Sequence, residues 1–137
     1  MRTAAVLIAR LIFAFVFGMA AVFKFYGMGA TAAYIAQGGF PAPMLLAWLA
    51  AFFEVALVIV FLSGLYFREA ALAAAAYVLF LAFAFHGPSH WAKNQDEFGF
   101  FVDHFTFIAG LLFAAVNGPG RVLVVRRRSA PSPAAAV

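Results

Sequence analysis

The chain has 137 residues, of which 67% are hydrophobic and only 10% charged. An ordinary soluble domain is about half apolar and about a quarter charged, so the composition excludes one; the mean hydropathy of +1.02 agrees. The net charge of +4 comes from nine Lys/Arg against five Asp/Glu, with four of the nine between Arg121 and Arg128, a cluster that suits membrane anchoring and argues against a nucleic-acid partner.

The absence of cysteine rules out thiol–disulfide chemistry, thiolate-held iron–sulfur clusters and thioether-attached haem. Met1-Arg2 before an apolar run resembles a signal peptide. Arg10 interrupts that run, however, and it continues apolar to Phe23, which reads as an uncleaved first span.

Four apolar runs are long enough to cross lipid: about residues 4–25, 44–66, 70–86 and 98–116. Roughly 17 to 25 residues span the hydrocarbon, and the backbone must be satisfied within each segment, so all four are helices. The fold class is all-α, an integral membrane four-helix bundle. Between the first two spans, Thr31 to Gln37 reads as a short interfacial helix, followed by a Gly38-Gly39 break and Phe40-Pro41-Ala42-Pro43, with proline suited to a helix start. Gly64 to Glu69 forms a tight turn, and Gly87 to Glu97 a polar loop.

An even number of spans puts both termini on one side. Arg2, Arg68, Arg121, Arg126, Arg127 and Arg128 gather there, against Lys24 and Lys93 on the other, so that side is read as cytoplasmic. Residues 1–120 form one membrane domain, and 121–137 read as a basic, disordered cytoplasmic tail.

The ionisable residues within the spans are the candidate site, because a charge in lipid is costly and usually faces the bundle interior. These are Lys24, Glu54, His86, Asp103 and His104, with Arg10 as a structural ion-pair candidate. Glu54 lies near the middle of its span, with Ala47, Ala50 and Ala51 toward the outer side, which leaves room for a cavity. It reads either as a buried carboxylate paired with Arg10 or Lys24, or as a proton acceptor or ligand contact. Asp103 shares a stripe with Phe107, Gly110 and Ala114 and is expected to face inward beside Lys24.

His86-x-x-x-His90 has the spacing of a metal pair, but Pro88 interrupts the helix, and no metal site is assigned. His86 lies at a helix end, poorly placed for a bis-histidine haem. Catalytic residues are not identifiable.

Together these residues resemble the DoxX family of small four-helix membrane proteins. The resemblance rests on Arg10…Phe17-Gly18…Lys24, on the segment Ala33 to Pro43, and on Glu54 inside span two. Gly64-Leu65-Tyr66-Phe67-Arg68 and Phe85-His86-Gly87-Pro88 complete it. Span four differs: Asp103-His104 precede Ala109-Gly110, where the family often has Lys-Asn before Gly-Gly.

The resemblance implies a multi-pass protein of the bacterial inner membrane, linked to quinone-coupled sulfur oxidation and membrane redox complexes. The expected function is a small membrane subunit of a redox system. It would bind a quinone-like lipophilic ligand or dock an oxidoreductase partner, and would not be an enzyme alone. The alternatives are a non-catalytic scaffold or assembly factor and a proton-coupled transporter of small solutes. Candidate partners are the lipid bilayer, an oxidoreductase subunit and a second copy in a homo-oligomer. Quinone is the candidate cofactor, with none bound covalently.

Overall fold

The computed structural model describes residues 2–92 and 94–125. Among them there are helices and no strands: α1 (Arg2–Tyr26), α2 (Met28–Gln37), α3 (Pro43–Ser63), α4 (Phe67–His86), α5 (Pro88–Trp91) and α6 (Asp96–Asn117). Four stretches have the length and apolarity to cross a membrane: Thr3–Tyr26, Pro43–Ser63, Phe67–Trp91 and Asp96–Asn117. They match the four expected spans. The third begins earlier than residue 70, because Tyr66 turns the corner with φ 49° and the helix restarts at once. Glu69 then sits in its first turn, where a carboxylate favours the helix dipole.

The connections follow local chemistry. Gly64 ends α3 with φ 72°, donating its N–H to the Val60 carbonyl. That left-handed conformation is free of strain for glycine. Pro43 occupies the start of α3, where its missing N–H costs nothing. The short helix of the first loop begins at Met28, three residues before Thr31, and stops at Gly38.

The bundle is built from two antiparallel pairs, α1 with α3 and α4 with α6, and α2 lies along α3. One end carries the chain start, the Gly64–Tyr66 turn and residues 118–125; we call it the terminal end. The other, with α2 and the loop before α6, is the loop end. At the terminal end the pairs are welded by phenylalanines. Phe61 stacks on Phe13 and Phe17 with ring centroids 5.5 and 5.9 Å apart, and Phe107 meets the same two rings at 5.2 and 5.6 Å. α4 contributes Ala71, Ala74, Ala75, Val78 and Ala82 as a buried seam. Small side chains let helix backbones approach closely in lipid, where hydrophobic burial no longer drives association.

Two expectations change here. The tail was assigned from residue 121, but residues 121–125 fold back onto the terminal end. Val125 donates its N–H to the Ser63 carbonyl, and Val124 lies against Gly64. Residues 126–137 and Lys93 lie outside the described residues.

Arg10, assigned to an ion pair, pairs with no carboxylate among the described residues. It donates instead to five backbone carbonyls: Phe61 and Leu62 at the end of α3, and Pro119, Val122 and Leu123 after α6. A guanidinium has five N–H donors, so every one is used. The physical reason lies in side-chain direction. Helical side chains lean toward their own N-terminus, so Arg10 on α1 leans to the terminal end, whereas Glu54 on antiparallel α3 leans away from it.

Candidate functional site

The same lean brings Lys24 and Glu54 together. Lys24, near the end of α1, reaches down the bundle, and Glu54 reaches up. Lys24 Nζ donates to Glu54 Oε1 over 2.8 Å, and the Tyr77 hydroxyl from α4 donates to the same oxygen over 2.9 Å. Glu54 is 2% exposed and Lys24 21%. Glu54 Oε2 is buried with no hydrogen-bond partner. A carboxylate offers about four lone-pair sites, and here only two are filled. A buried polar atom left unpaired is costly and calls for an explanation.

Above this triad, where the two helix pairs part, lies a chamber of about 860 Å³. Its walls come from α1, α2, α3, α4 and α6, with Phe40 from the α2–α3 connection. They are mostly apolar and aromatic: Phe23, Ile35, Leu49, Phe53, Phe80 and Phe85 among others. Six polar side chains interrupt them: Lys24, Thr31, Tyr34, Tyr77, His86 and His104. Ligand pockets are characteristically about 300–1,000 Å³, apolar with a few convergent polar groups. Glu54 does not line the chamber. Lys24 and Tyr77 do, so a bound molecule meets them first and senses Glu54 through them.

The polar groups form two sets. Tyr77 and His86 are nine residues apart on α4, about 13 Å along the axis. Toward the loop end, His86 Nδ1 lies 2.5 Å from Glu97 Oε2. A carboxylate only accepts, so His86 donates through Nδ1. The His86 and His104 rings are 5.0 Å apart between centroids, and His104 donates from Nδ1 to the Phe100 carbonyl over 2.7 Å. Each histidine is thereby oriented, with Nε2 left to offer. Trp91 Nε1 donates to the His86 carbonyl over 2.8 Å, closing the corner between α4 and α6. Tyr34, stacked on Phe85 at 5.0 Å, has its hydroxyl pKa pushed up by burial and then by the Glu97 carboxylate.

The structure therefore brings Lys24, His86 and His104 to the wall of one chamber, with Glu54 bonded behind Lys24, but not Asp103. Asp103 is exposed and makes no hydrogen bond or ion pair with any described residue. The inward face of α6 runs through Glu97, Phe101, His104, Ile108, Leu111 and Ala115. Asp103 stands about 120° round from the centre of that face; Phe107, Gly110 and Ala114 form its edge, with Phe107 and Gly110 packed against Phe13. Among the described residues, no three His, Asp or Glu side chains converge as a group that could hold a metal.

Sequence reasoning missed Tyr77, Tyr34 and Glu97. Tyr77 carried a signal, being the only hydroxyl between Phe67 and His86. Glu97 carried none, since a loop separates it from its partner.

These features define a four-span membrane protein with a lipophilic chamber in the loop-end half of its bundle. The DoxX family model matches residues 5–87. The inner membrane protein YphA of Escherichia coli (strain K12) is 32% identical over 130 residues, covering 92% of this chain and 91% of that protein. The chain belongs to the DoxX family and is a multi-pass inner-membrane protein. The family match covers α1 to α4; the span α6, with Asp103 and His104, lies beyond it. No solved structure matches the chain.

Proposed function

We propose that the chamber binds a quinone-like lipophilic ligand and that the protein is a small membrane subunit of a redox system. The observation that carries this reading is the pairing of an apolar chamber of about 860 Å³ with a buried carboxylate whose second oxygen is unpaired. Aromatic walls suit a planar ring. Lys24 supplies hydrogen-bond donors to a ligand carbonyl, and Glu54, through Tyr77, supplies a place for a proton. Both lie in the bundle interior, where an unscreened charge acts strongly. Without cysteine the chain has no thiol couple of its own, so the electrons come through an oxidoreductase partner. The arginine distribution puts both termini in the cytoplasm and the chamber in the outer half. Gln95→Cys should then react with an impermeant thiol reagent added outside, and Thr3→Cys should not.

The test is binding. The full chain, purified in mild detergent, should carry extractable quinone and should show saturable fluorescence quenching with a short-chain quinone. Glu54→Gln keeps the volume and removes the charge. Its quinone Kd should rise roughly tenfold or more, about 1.4 kcal/mol, and Tyr77→Phe should shift it in the same direction. No extractable quinone and no saturable quenching by the native chain would overturn the reading.

The scaffold alternative is favoured by one observation, the Lys24–Glu54 bond that ties α1 to α3. It predicts that Glu54→Gln lowers thermal stability while complex activity in the surviving protein stays unchanged.

A further inference from the structure

The chamber carries two polar sets, and the function proposed above uses one of them. Tyr77 and His86 are about 13 Å apart along α4, whereas the two oxygens of a quinone sit across a single ring. A ring held at Lys24 and Tyr77 therefore leaves the loop-end set, His86, His104 and Glu97, free for another task.

That set has a built geometry. His86 and His104 line the chamber, and Glu97 stands behind His86 without lining it. His86 donates from Nδ1 to Glu97 Oε2, and Trp91 Nε1 holds the His86 carbonyl, so the ring is fixed with Nε2 free. Glu97 lies in the first turn of α6, just after the polar loop. His86 is 20% exposed and Glu97 23%, against 2% for Glu54.

A quinone that takes two electrons from the oxidoreductase partner also takes two protons, each carbonyl oxygen becoming a hydroxyl of the quinol. Glu54 has a place for one proton and is sealed from water, so both protons come in the end through the chamber. Imidazole is the side chain that changes charge near neutral pH, and a carboxylate at Nδ1 stabilises the imidazolium. An imidazolium at His86 gives its Nε2 proton to the chamber and is left as the Nδ1–H tautomer that Glu97 holds. His104 has no such support. Its Nδ1 donates to the Phe100 carbonyl, and with its ring 5.0 Å from that of His86 a second positive charge would be repelled. The chamber of about 860 Å³ has room for waters beside a ring, and Thr31, Tyr34 and Tyr77 give them partners.

On the quinone reading above, we infer that His86 carries protons from loop-end water into the chamber and that Glu97 is its positioning residue. Among the described residues, the titratable groups around His86 are Glu97 and His104 on α6, Tyr34 on α2, and His90 on α5, which pairs with the Ser89 hydroxyl. Asp96 and Asp103 are exposed and bond to neither ring of the pair.

The test uses the full chain in detergent, loaded with a short-chain quinone, freed of unbound quinone by gel filtration and held as a film on an electrode that supplies the electrons. Fast-scan voltammetry reads the rate of proton-coupled reduction, and the charge passed counts the bound quinone. At equal bound quinone, His86→Gln should slow the reduction roughly tenfold or more near neutral pH. Added imidazole, a small proton carrier, should restore the rate of that variant and leave the native rate unchanged, which a merely structural role does not predict. Glu97→Gln removes the charge behind His86, so the pH above which the rate falls should move down while the rate at low pH is kept. A native rate in His86→Gln, a slow rate that imidazole does not restore, or an unmoved pH profile in Glu97→Gln would overturn this inference and leave the quinone reading standing. So would a His86→Gln variant that folds but holds no quinone, since His86 would then be a ligand contact. A native chain that binds no quinone would overturn both.

Discussion

The two ends of the bundle handle buried charge in opposite ways. At the terminal end, Arg10 is 2% exposed, and each of its five donors meets a backbone carbonyl among close-stacked phenylalanines. At the other end, Glu54 is equally buried yet half satisfied, beside an open chamber. The same four helices build both ends, so the difference is not one of architecture. A charge with every bond made fixes a shape. A charge with a bond left over, next to space, keeps a capacity for something not yet bound. On the function proposed above, the terminal end is the frame and the loop end holds the site.

If that division is right, the largest loss of stability should come from Arg10. Arg10→Lys keeps the charge but offers three donors in place of five. It should strand at least two carbonyls, and bonds to charged groups contribute about 1.5–3 kcal/mol each. A loss of about 3–6 kcal/mol is expected, and Arg10→Ala should not fold, since typical total stabilities are only about 5–15 kcal/mol. Thermal unfolding in detergent measures both. A neutral Arg10→Lys would erase the contrast between the two ends.

That prediction also marks where the sequence stopped being informative. The spans were legible because apolar runs of membrane length leave few alternatives, and Glu54 and Lys24 were legible because charges inside such runs are rare. Arg10's partners were not, since backbone carbonyls carry no residue identity and three of them follow α6, more than a hundred residues away. Asp103 was placed inward because glycine and alanine were taken to mark the centre of a packing face. The stripe it shares does pack, with Phe107 and Gly110 against Phe13, but α6 turns its loop-end half inward through Phe101 and His104, and Asp103 is left exposed. Tyr77 was passed over because a tyrosine in an alanine-rich helix looks like any other core aromatic until its hydroxyl is seen on Glu54.

A second, smaller effect should come from filling space where none exists. Ala74 is fully buried in the α4 seam within the core cluster, and Ala74→Leu forces the packed helices apart there. Overpacking a closed core costs about 1–3 kcal/mol, read as a lower unfolding temperature, with Ala71→Leu behaving alike. If both leucines were accommodated without loss, the seam would be looser than the buried alanines imply.

The smallest effect on stability should come from the same substitution at the other end. Ala50 lines the chamber, so in Ala50→Leu the added methylenes enter open space instead of a neighbouring backbone. Surface-like changes of this kind stay within about 0.5 kcal/mol, and added contacts with Phe53 or Leu46 would if anything raise the unfolding temperature. Binding should move the other way. A leucine there takes volume from the ligand and narrows the approach to Lys24 and Tyr77, so quinone affinity should fall while the fold is untouched. Ala74→Leu should show the inverse pattern, reduced stability with unchanged affinity in the folded fraction. The pair thus separates frame from site with one chemical change at two positions. If Ala50→Leu destabilised the protein as much as Ala74→Leu does, the chamber would be closed in the membrane, and the unpaired oxygen of Glu54 would belong to the frame after all.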